Sequence, residues 1–392
     1  MADTWKNWSG WVETTPSKIA EPTSEDEIVA LVRDARAAKQ TVRVAGSGHS
    51  FTPLCTADDG VLISLDSIQG IIATDREART ATIHAGTKLH AIGGPLRDAG
   101  MSMENMGDVD RQALAGAVGT GTHGTGHGIG NISNQVIGMR IVNGLGEIVQ
   151  CSETENPELL KAAQVSIGAL GVVTQIRLRA VPAYNLHERT WQATFEECMG
   201  NLERHIQENR HFEFFWGLRE DACLAKTLNP THRDPDPLDA FENERIGFSH
   251  KVFPSSRNTK FNEIEFAIPE ASGPDCVREL RQLMKTKHTD IQWPLEYRTV
   301  AADDIYLSPC YRRDTVTISA HRPANREYEP FFRDVESVFR NHEGRPHWGK
   351  LHWHTRADLE PLYPQWAKFD AIRREHDPDG VFLNPHLKAL FA

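Results

Sequence analysis

Hydrophobic and polar positions change register often along the first 180 residues, as expected of short helices and strands in alternation. Ile28, Leu31, Val32 and Ala35 recur at helical spacing behind Ser24-Glu25-Asp26-Glu27, which reads as a capping box, so a helix is predicted to about Lys39. Strand-like runs follow at residues 41–45, 61–65, 70–73 and 80–85. Residues 136–142 and 147–151 flank an Asn143-Gly144 turn signal and predict a hairpin; residues 171–180 predict a further strand that ends at Val181-Pro182. Beyond Pro182 the chain carries more aromatics, longer amphipathic stretches and fewer glycines, which marks a domain boundary. Residues 229–245, rich in Pro and Asp, read as a surface loop or insertion. A dense aromatic and histidine pattern returns near Arg345, ahead of a short closing helix.

A length of 392 residues supports two or three units with ample core. With 43 basic against 54 acidic residues the net charge is −11, which argues against an extended nucleic-acid or anionic-membrane surface. The six cysteines are far apart in sequence, the nearest pair being Cys198 and Cys223, so no CxxC redox or thiolate zinc motif is present and reduced thiols are expected. The N-terminal residues lack a basic region followed by an apolar stretch, so the expectation is a soluble cytoplasmic protein with no secretory signal and no stable membrane insertion. From Gln112 to Met139 the chain has no charged side chain, yet Gly, Thr, His and Asn dominate it. That composition suits backbone packed closely against a ligand rather than a membrane helix.

Four segments carry candidate chemistry. Ala45-Gly46-Ser47-Gly48-His49-Ser50 ends a strand in glycines that tolerate positive φ and let peptide N–H groups converge on an anion; a tight turn with an incidental histidine fits the spacing equally. The segment has neither the Gly-Lys-Ser/Thr of a Walker loop nor the G-x-G-x-x-G of a dinucleotide turn. A second run, Gly107-Asp108 through Gly116, Thr120, Gly121, Thr122, His123 and Gly124, has apolar inserts that a flexible linker lacks. In Leu295-Glu296-Tyr297-Arg298 the period of a strand sets Glu296 and Arg298 on one face, where a surface ion pair is the plain alternative. Arg345 to His354, read as a strand, sets Lys350, His352 and His354 on one face, with Trp348 and Trp353 in a core. An ammonium so close opposes a cation and no third ligand has a fixed spacing, so no metal site is expected.

In this order the motifs resemble the aldonolactone oxidoreductases (sugar-1,4-lactone oxidases) of the vanillyl-alcohol-oxidase-type flavoproteins, over nearly the whole chain, with alditol oxidase nearby. The resemblance implies an α+β, two-domain FAD-binding (PCMH/VAO-type) fold with a substrate-binding cap. The implied organisation is an FAD domain at 1–183, a cap at 184–344, and a C-terminal segment, 345–392, that returns to the FAD domain and active site. It implies FAD as cofactor, attached covalently through His49 and held by Ala45, Gly46, Ser47, Gly48, Ser50, Asp108, Gly116, Thr120, Gly121, Thr122, His123 and, from a third segment at Ile167-Gly168-Ala169-Leu170-Gly171-Val172-Val173, by Val172. Glu296 and Arg298 resemble the family's catalytic acid and arginine, and Lys350 its H-W-x-K lysine; together Arg298 and Lys350 imply a locally positive pocket. The tail Asp377-Pro378-Asp379-Gly380-Val381-Phe382-Leu383-Asn384 is similar to the family's closing sequence.

The activity implied is oxidation of an L-gulono-, L-galactono- or D-arabinono-type 1,4-lactone, with molecular oxygen reduced to hydrogen peroxide. Alditol oxidation and a lactone dehydrogenase with another acceptor are the alternatives. Asp108 stands where alditol oxidase has a substrate-facing serine and Ser319 where it has a pocket histidine, while Arg298-Thr299-Val300-Ala301-Ala302-Asp303 resembles that enzyme.

Overall fold

A computed structural model of the chain describes residues 3–236, 243–255 and 259–391. Three sheets organise it. A parallel sheet joins β1 (Lys18–Ala20), β2 (Val42–Ala45) and β3 (Val61–Ser64) in the order β1-β3-β2. An antiparallel sheet joins β4 (Ile71–Asp75), β5 (Thr80–His84), β6 (Val136–Val142), β7 (Ile148–Ser152) and β8 (Val172–Arg179) in the order β7-β6-β8-β5-β4. Helix α1 (Glu25–Ala37) buries Ile28, Val32 and Ala35. Its N-terminus is half of the expected capping box: Ser24 accepts from the Glu27 N–H at 3.3 Å, but the Glu27 carboxylate turns to the backbone N–H and hydroxyl of Thr23. The helix stops short of Lys39, which takes φ 56°.

The hairpin at β6 and β7 forms as predicted, with a different turn. Asn143 Oδ1 accepts from the N–H groups of Leu145 and Glu147, and positive φ falls at Gly146, not Gly144. Gly144 instead makes room for the C-terminal tail, since a Cβ there would lie 2.2 Å from Asp377 Oδ1.

The third sheet has eight antiparallel strands: β9 (Asn185–Thr194), β10 (His211–Gly217), β11 (Ala222–Thr231), β12 (Glu244–Phe248), β13 (Phe261–Pro269), β14 (Leu295–Val300), β15 (Thr315–Pro323) and β16 (Arg345–Pro346). Their order is β12-β9-β11-β10-β14-β15-β13-β16. Strict alternation sorts the two faces. Phe212, Phe214, Trp216, Ile264, Phe266, Tyr297 and Ile318 join a core with Val277 and Leu280 of a helix at Gly273–Thr286 and Phe332 and Phe339 of another at Glu329–Asn341. Truncating one such buried phenylalanine to Ala costs about 3–5 kcal/mol. Glu213, Lys226, Glu263, Glu265, Glu296, Arg298, Ser319 and His321 occupy the other face.

Two expectations are corrected. Asn229 to Thr231 finish β11, and Glu244 and Arg245 open β12, because both strands pair along β9; residues 237–242 of the expected loop lie outside the described residues. Only Arg345–Pro346 is strand within 345–354, because the chain turns at once, Lys350 N–H donating to His347 O and Gly349 O accepting from the Phe51 N–H. Lys350 and His354 therefore serve different sites: Lys350 pairs with Glu263, and His354 Nδ1 lies 3.0 Å from Glu336.

Trp348, Trp366, Phe369, Phe382 and Phe391 join the N-terminal core among Val42, Ile63, Ile141 and Leu160, whereas Leu351 and Trp353 pack against the core of the eight-stranded sheet, so the two tryptophans do not share one core as expected. Leu228, Val252, Phe253, Ile305, Tyr306 and Leu307 from the middle of the chain join the same core. Asp377 accepts from the N–H groups of Val381 and Phe382, and Asn384 Nδ2 donates to Pro53 O and Thr56 O, so the tail motif clasps the N-terminal half. Five of the six cysteines are buried, none in a disulfide. Among the described residues no helix is long and apolar enough to cross a membrane.

Candidate active site

Strand β2 runs into Gly46-Ser47-Gly48-His49-Ser50, and each small residue is used. A Cβ on Gly46 would lie 2.9 Å from Ala113 Cβ; Gly48 takes φ 68° with Trp5, Asn7 and Trp8 packed against it. Ser47 Oγ donates to Arg111 O at 2.5 Å, Trp8 N–H to Gly48 O, and Asn7 Nδ2 to Ser50 O, which fixes the loop at both ends. The His49 ring stacks on Trp8 with centroids 5.2 Å apart. Burial, then Lys350 and Lys88, push its pKa down to about 4, so the imidazole is neutral at pH 7 and keeps a free lone pair.

From this loop a largely apolar cavity extends between Ala85-Gly86, the helix at Leu114–Gly119 and residues 166–168. Gly116 and Gly119 line it, with no heavy atom within 4 Å of where a Cβ would stand. A wall bared by glycine and open to a long apolar cavity fits a flat cofactor with a phosphate-bearing tail, as FAD requires. Of the expected cofactor residues, Ala45, Gly46, Ser47, Gly48, His49, Ser50, Gly116 and Thr120 line this cavity. Asp108, Thr122 and His123 line an adjoining cavity against the polar face of the eight-stranded sheet, and His49, Ser50 and Thr120 belong to both.

Gly121 and Val172 line neither. Gly121 turns the chain at φ 73° towards Pro309 and Val165, and Val172 is fully buried in the core while its neighbours Gly171 and Val173 line the cavity, as strand alternation requires. Sequence reasoning missed Arg43. Buried on β2, it donates to the carbonyls of Leu54, Ile167, Gly168 and Phe382, which ties three distant segments to one strand.

The second cavity is lined by charge. On β14 Glu296 and Arg298 form a buried ion pair rather than a surface one, and Ser319 Oγ on the adjacent β15 donates to the same Glu296 Oε2 at 3.1 Å. The other oxygen, Glu296 Oε1, is buried without a hydrogen-bond partner. Lys350 pairs with Glu263 and lies 3.9 Å from Glu265; His321 Nε2 is 3.5 Å from Glu263, and His123 Nε2 is 2.6 Å from Glu265 Oε1. Burial pushes Glu265 up, but His123, with His347 and Lys350, holds it well below the usual carboxylate range, and Glu263 falls to about 2 against burial because of Lys350 and His321. Burial lowers His321, but Glu263 raises it further. Burial takes His347 down to about 3.

The expectation of a locally positive pocket is therefore corrected. Arg298 and Lys350 are each met by a carboxylate, Glu296 and Glu263, and Glu265 lies 3.9 Å from the Lys350 ammonium. The missed acids had a sequence signal: Phe261-Asn262-Glu263-Ile264-Glu265-Phe266 alternates with glutamates on one face, an arrangement that an ordinary solvated strand also shows.

A family profile described as D-arabinono-1,4-lactone oxidase matches residues 176–248 and 238–390, and an FAD binding domain profile matches 16–152. An L-gulono-1,4-lactone dehydrogenase of Mycobacterium tuberculosis is 35% identical, covering 99% of both chains. The L-gulonolactone oxidase of Bos taurus is 29% identical over 98% of both. Among solved structures, cholesterol oxidase from B. sterolicum superposes with a TM-score of 0.88 at 16% identity, covering 99% of this chain and 96% of that one; chitooligosaccharide oxidase gives 0.78 at 16%, covering 97% and 93%. Those two likenesses are of fold, and they agree with a glycine-walled cavity facing a sheet. The end-to-end relative and the profile over more than half its length go further: this chain belongs to the aldonolactone oxidoreductase family of vanillyl-alcohol-oxidase-type flavoproteins, FAD-dependent oxidoreductases acting on CH–OH groups.

Proposed function

We propose that the protein oxidises the C2 carbinol of an aldono-1,4-lactone of the L-gulono, L-galactono or D-arabinono type, with molecular oxygen as final acceptor and hydrogen peroxide as product. The observation that carries the reading is Glu296 Oε1, a buried acceptor without a partner, beside Arg298 and in a cavity that shares His49 with the glycine-walled one. A buried carboxylate oxygen left unpaired is costly, and a substrate hydroxyl satisfies it.

FAD, when bound, supplies a two-electron acceptor for the carbinol hydrogen. Glu296 Oε1 accepts the hydrogen bond, and then the proton, of the C2 hydroxyl. Arg298 offers its planar fork to the hydroxyl or lactone carbonyl oxygen, and Lys350 acts as a point charge at the mouth of the cavity. His49, neutral and stacked on Trp8, would be the residue that holds the flavin covalently. In this reading residues 1–183 with 345–392 hold the flavin and 184–344 form the substrate cap. The protein acts in the cytoplasm.

Glu296→Gln, Arg298→Ala and Lys350→Ala are each expected to lower turnover by roughly two or more orders of magnitude while the flavin stays bound. Near-wild-type rates in all three would sink the site assignment. A non-oxygen acceptor is the second reading, favoured by the dehydrogenase name of the mycobacterial relative. Peroxide formed under air, against reduction of a dye acceptor, separates the two.

A further inference from the structure

We propose that Trp8 is a positioning residue for covalent attachment of the flavin: stacked on His49, it holds the imidazole in an orientation from which a ring nitrogen can bond to a methyl carbon of the flavin. The inference rests on the attachment reading of His49 given above and on no particular substrate.

The stack is what orients the ring. His49 lines the glycine-walled cavity, the charged one, and a third that it shares with Trp8, Phe51, Phe261 and Lys350. Among the described residues no hydrogen bond reaches either ring nitrogen of His49. The contact left to fix the imidazole plane is therefore Trp8, with centroids 5.2 Å apart and the rings 29° from parallel.

Trp8 is itself held in place. It sits in the turn of a hairpin in which Trp5 pairs with Thr14 and Lys6 with Glu13. Its backbone N–H donates at 2.8 Å to the carbonyl of Gly48, the residue just before His49. Asn7 closes the turn, its Oδ1 accepting from the N–H groups of Gly10 and Val12, while its Nδ2 donates to the carbonyl of Ser50, the residue just after His49. Phe261, at the start of β13, meets the indole edge-on, with centroids 5.1 Å apart and planes at 75°. The hairpin thus grips the backbone on both sides of His49, and its tryptophan grips the ring between them.

Orientation matters because attachment joins two groups already held in one protein. His49 gives a lone pair to the methyl carbon, so that an N–C bond forms as a methyl C–H bond breaks; the C–H proton and the imidazole N–H proton leave to water. The two electrons of the broken bond enter the flavin ring and pass to molecular oxygen, which takes up two protons and becomes hydrogen peroxide. The step needs a neutral imidazole, which burial, with Lys350 and Lys88, provides. A nitrogen displaced by about 1 Å from such an attack geometry loses roughly 100-fold in rate.

The test follows attachment, with no substrate present. Full-length wild type, Trp8→Ala and Trp8→Phe, produced under riboflavin limitation, are incubated with FAD under air. Bound flavin is read by absorbance after gel filtration, and attached flavin by the colour that stays with acid-precipitated protein. Trp8→Ala is expected to bind FAD to within roughly twofold of wild type but to attach it roughly 100-fold more slowly. Trp8→Phe, which keeps a stacking ring, should fall in between. Attachment by Trp8→Ala at the wild-type rate overturns the proposal, and so does loss of FAD binding in proportion to attachment, the mark of a merely structural role. If Trp8→Ala does not fold, Trp8→Phe and Phe261→Leu, which loosens the indole at its edge, decide by the same slowing or its absence. Wild-type colour that stays free in acid fails the attachment reading and takes the proposal with it; a wild type that attaches its flavin, matched by Trp8→Ala, fails the proposal alone.

Discussion

Lys350→Met separates the structural and chemical parts of the site. The Lys350 side chain is 20% exposed and Glu263 4%, and Glu265 lies on the same face of β13 two residues on, 3.9 Å from the ammonium. Removing the cation leaves two buried carboxylates with less compensation, which costs about 3–5 kcal/mol. At roughly 2.1 cal/mol/K per residue the unfolding entropy of this chain is about 0.8 kcal/mol/K, so the midpoint should fall by about 4–6 °C. The pH dependence has a definite sign. Glu263 sits at about 2 when folded, below its unfolded value, so the stabilisation from Lys350 is complete above the unfolded pKa and fades as pH falls towards 2. The wild-type-minus-mutant gap is therefore full at neutral pH and shrinks below about pH 4. Thermal unfolding of Lys350→Met, Glu263→Gln and the double variant across that range is the assay. The double variant should lose less than the sum of the singles, because no unpaired charge remains from the pair. A neutral-pH loss under about 1 °C, or strict additivity, refutes the pairing.

Three further outcomes follow from the cofactor cavity. His49→Ala should release all its flavin into the supernatant on acid precipitation, whereas the wild-type colour stays with the protein; free colour in both contradicts attachment at His49. Gly116→Ala should leave the apoprotein as stable or more so by up to about 1 kcal/mol, since the helix gains propensity and the new methyl meets open space, yet flavin occupancy after purification should fall. Arg43→Met strands four carbonyls that now accept from one guanidinium, so it should destabilise by more than about 3 kcal/mol, read as a lower urea midpoint, with Arg43→Lys intermediate because an ammonium has three donors.

Local signals read well wherever one element decides the outcome. The periodicity of α1, the β6–β7 hairpin and the strand alternation that pairs Glu296 with Arg298 were all legible, because each follows from spacing within a few residues. The turn at Gly146 and the bare wall at Gly116 required knowing what lies opposite. Val172 turns its side chain to the core and Val173 lines the cavity, a phase that the run Gly171-Val172-Val173 does not carry in sequence. The expected strand around Lys350 failed because Gly349 and the Phe51 N–H break it, a contact some three hundred positions apart in sequence. The pocket's sign was misjudged for the same reason: Lys350 stood out within its motif, while its counter-charge comes from Glu263 on β13, whose glutamates look like those of any amphipathic strand, and the Glu296 beside Arg298 read equally as half of a surface pair. Arg43 carried no signal at all, being one arginine in a β-rich run.

In the proposed reaction Glu296 takes the hydroxyl proton of a sugar lactone in a cavity that Arg298 and Lys350 also line, and bound flavin takes the electron pair. Anaerobic mixing of the holoenzyme with L-gulono-, L-galactono- and D-arabinono-1,4-lactone, and with xylitol and sorbitol, tests it by bleaching of the oxidised flavin absorbance. Rapid bleaching by at least one lactone, slower or absent bleaching by the alditols, and loss of the lactone signal in Glu296→Gln are expected. No bleaching by any lactone, or bleaching that survives Glu296→Gln at the wild-type rate, would contradict it.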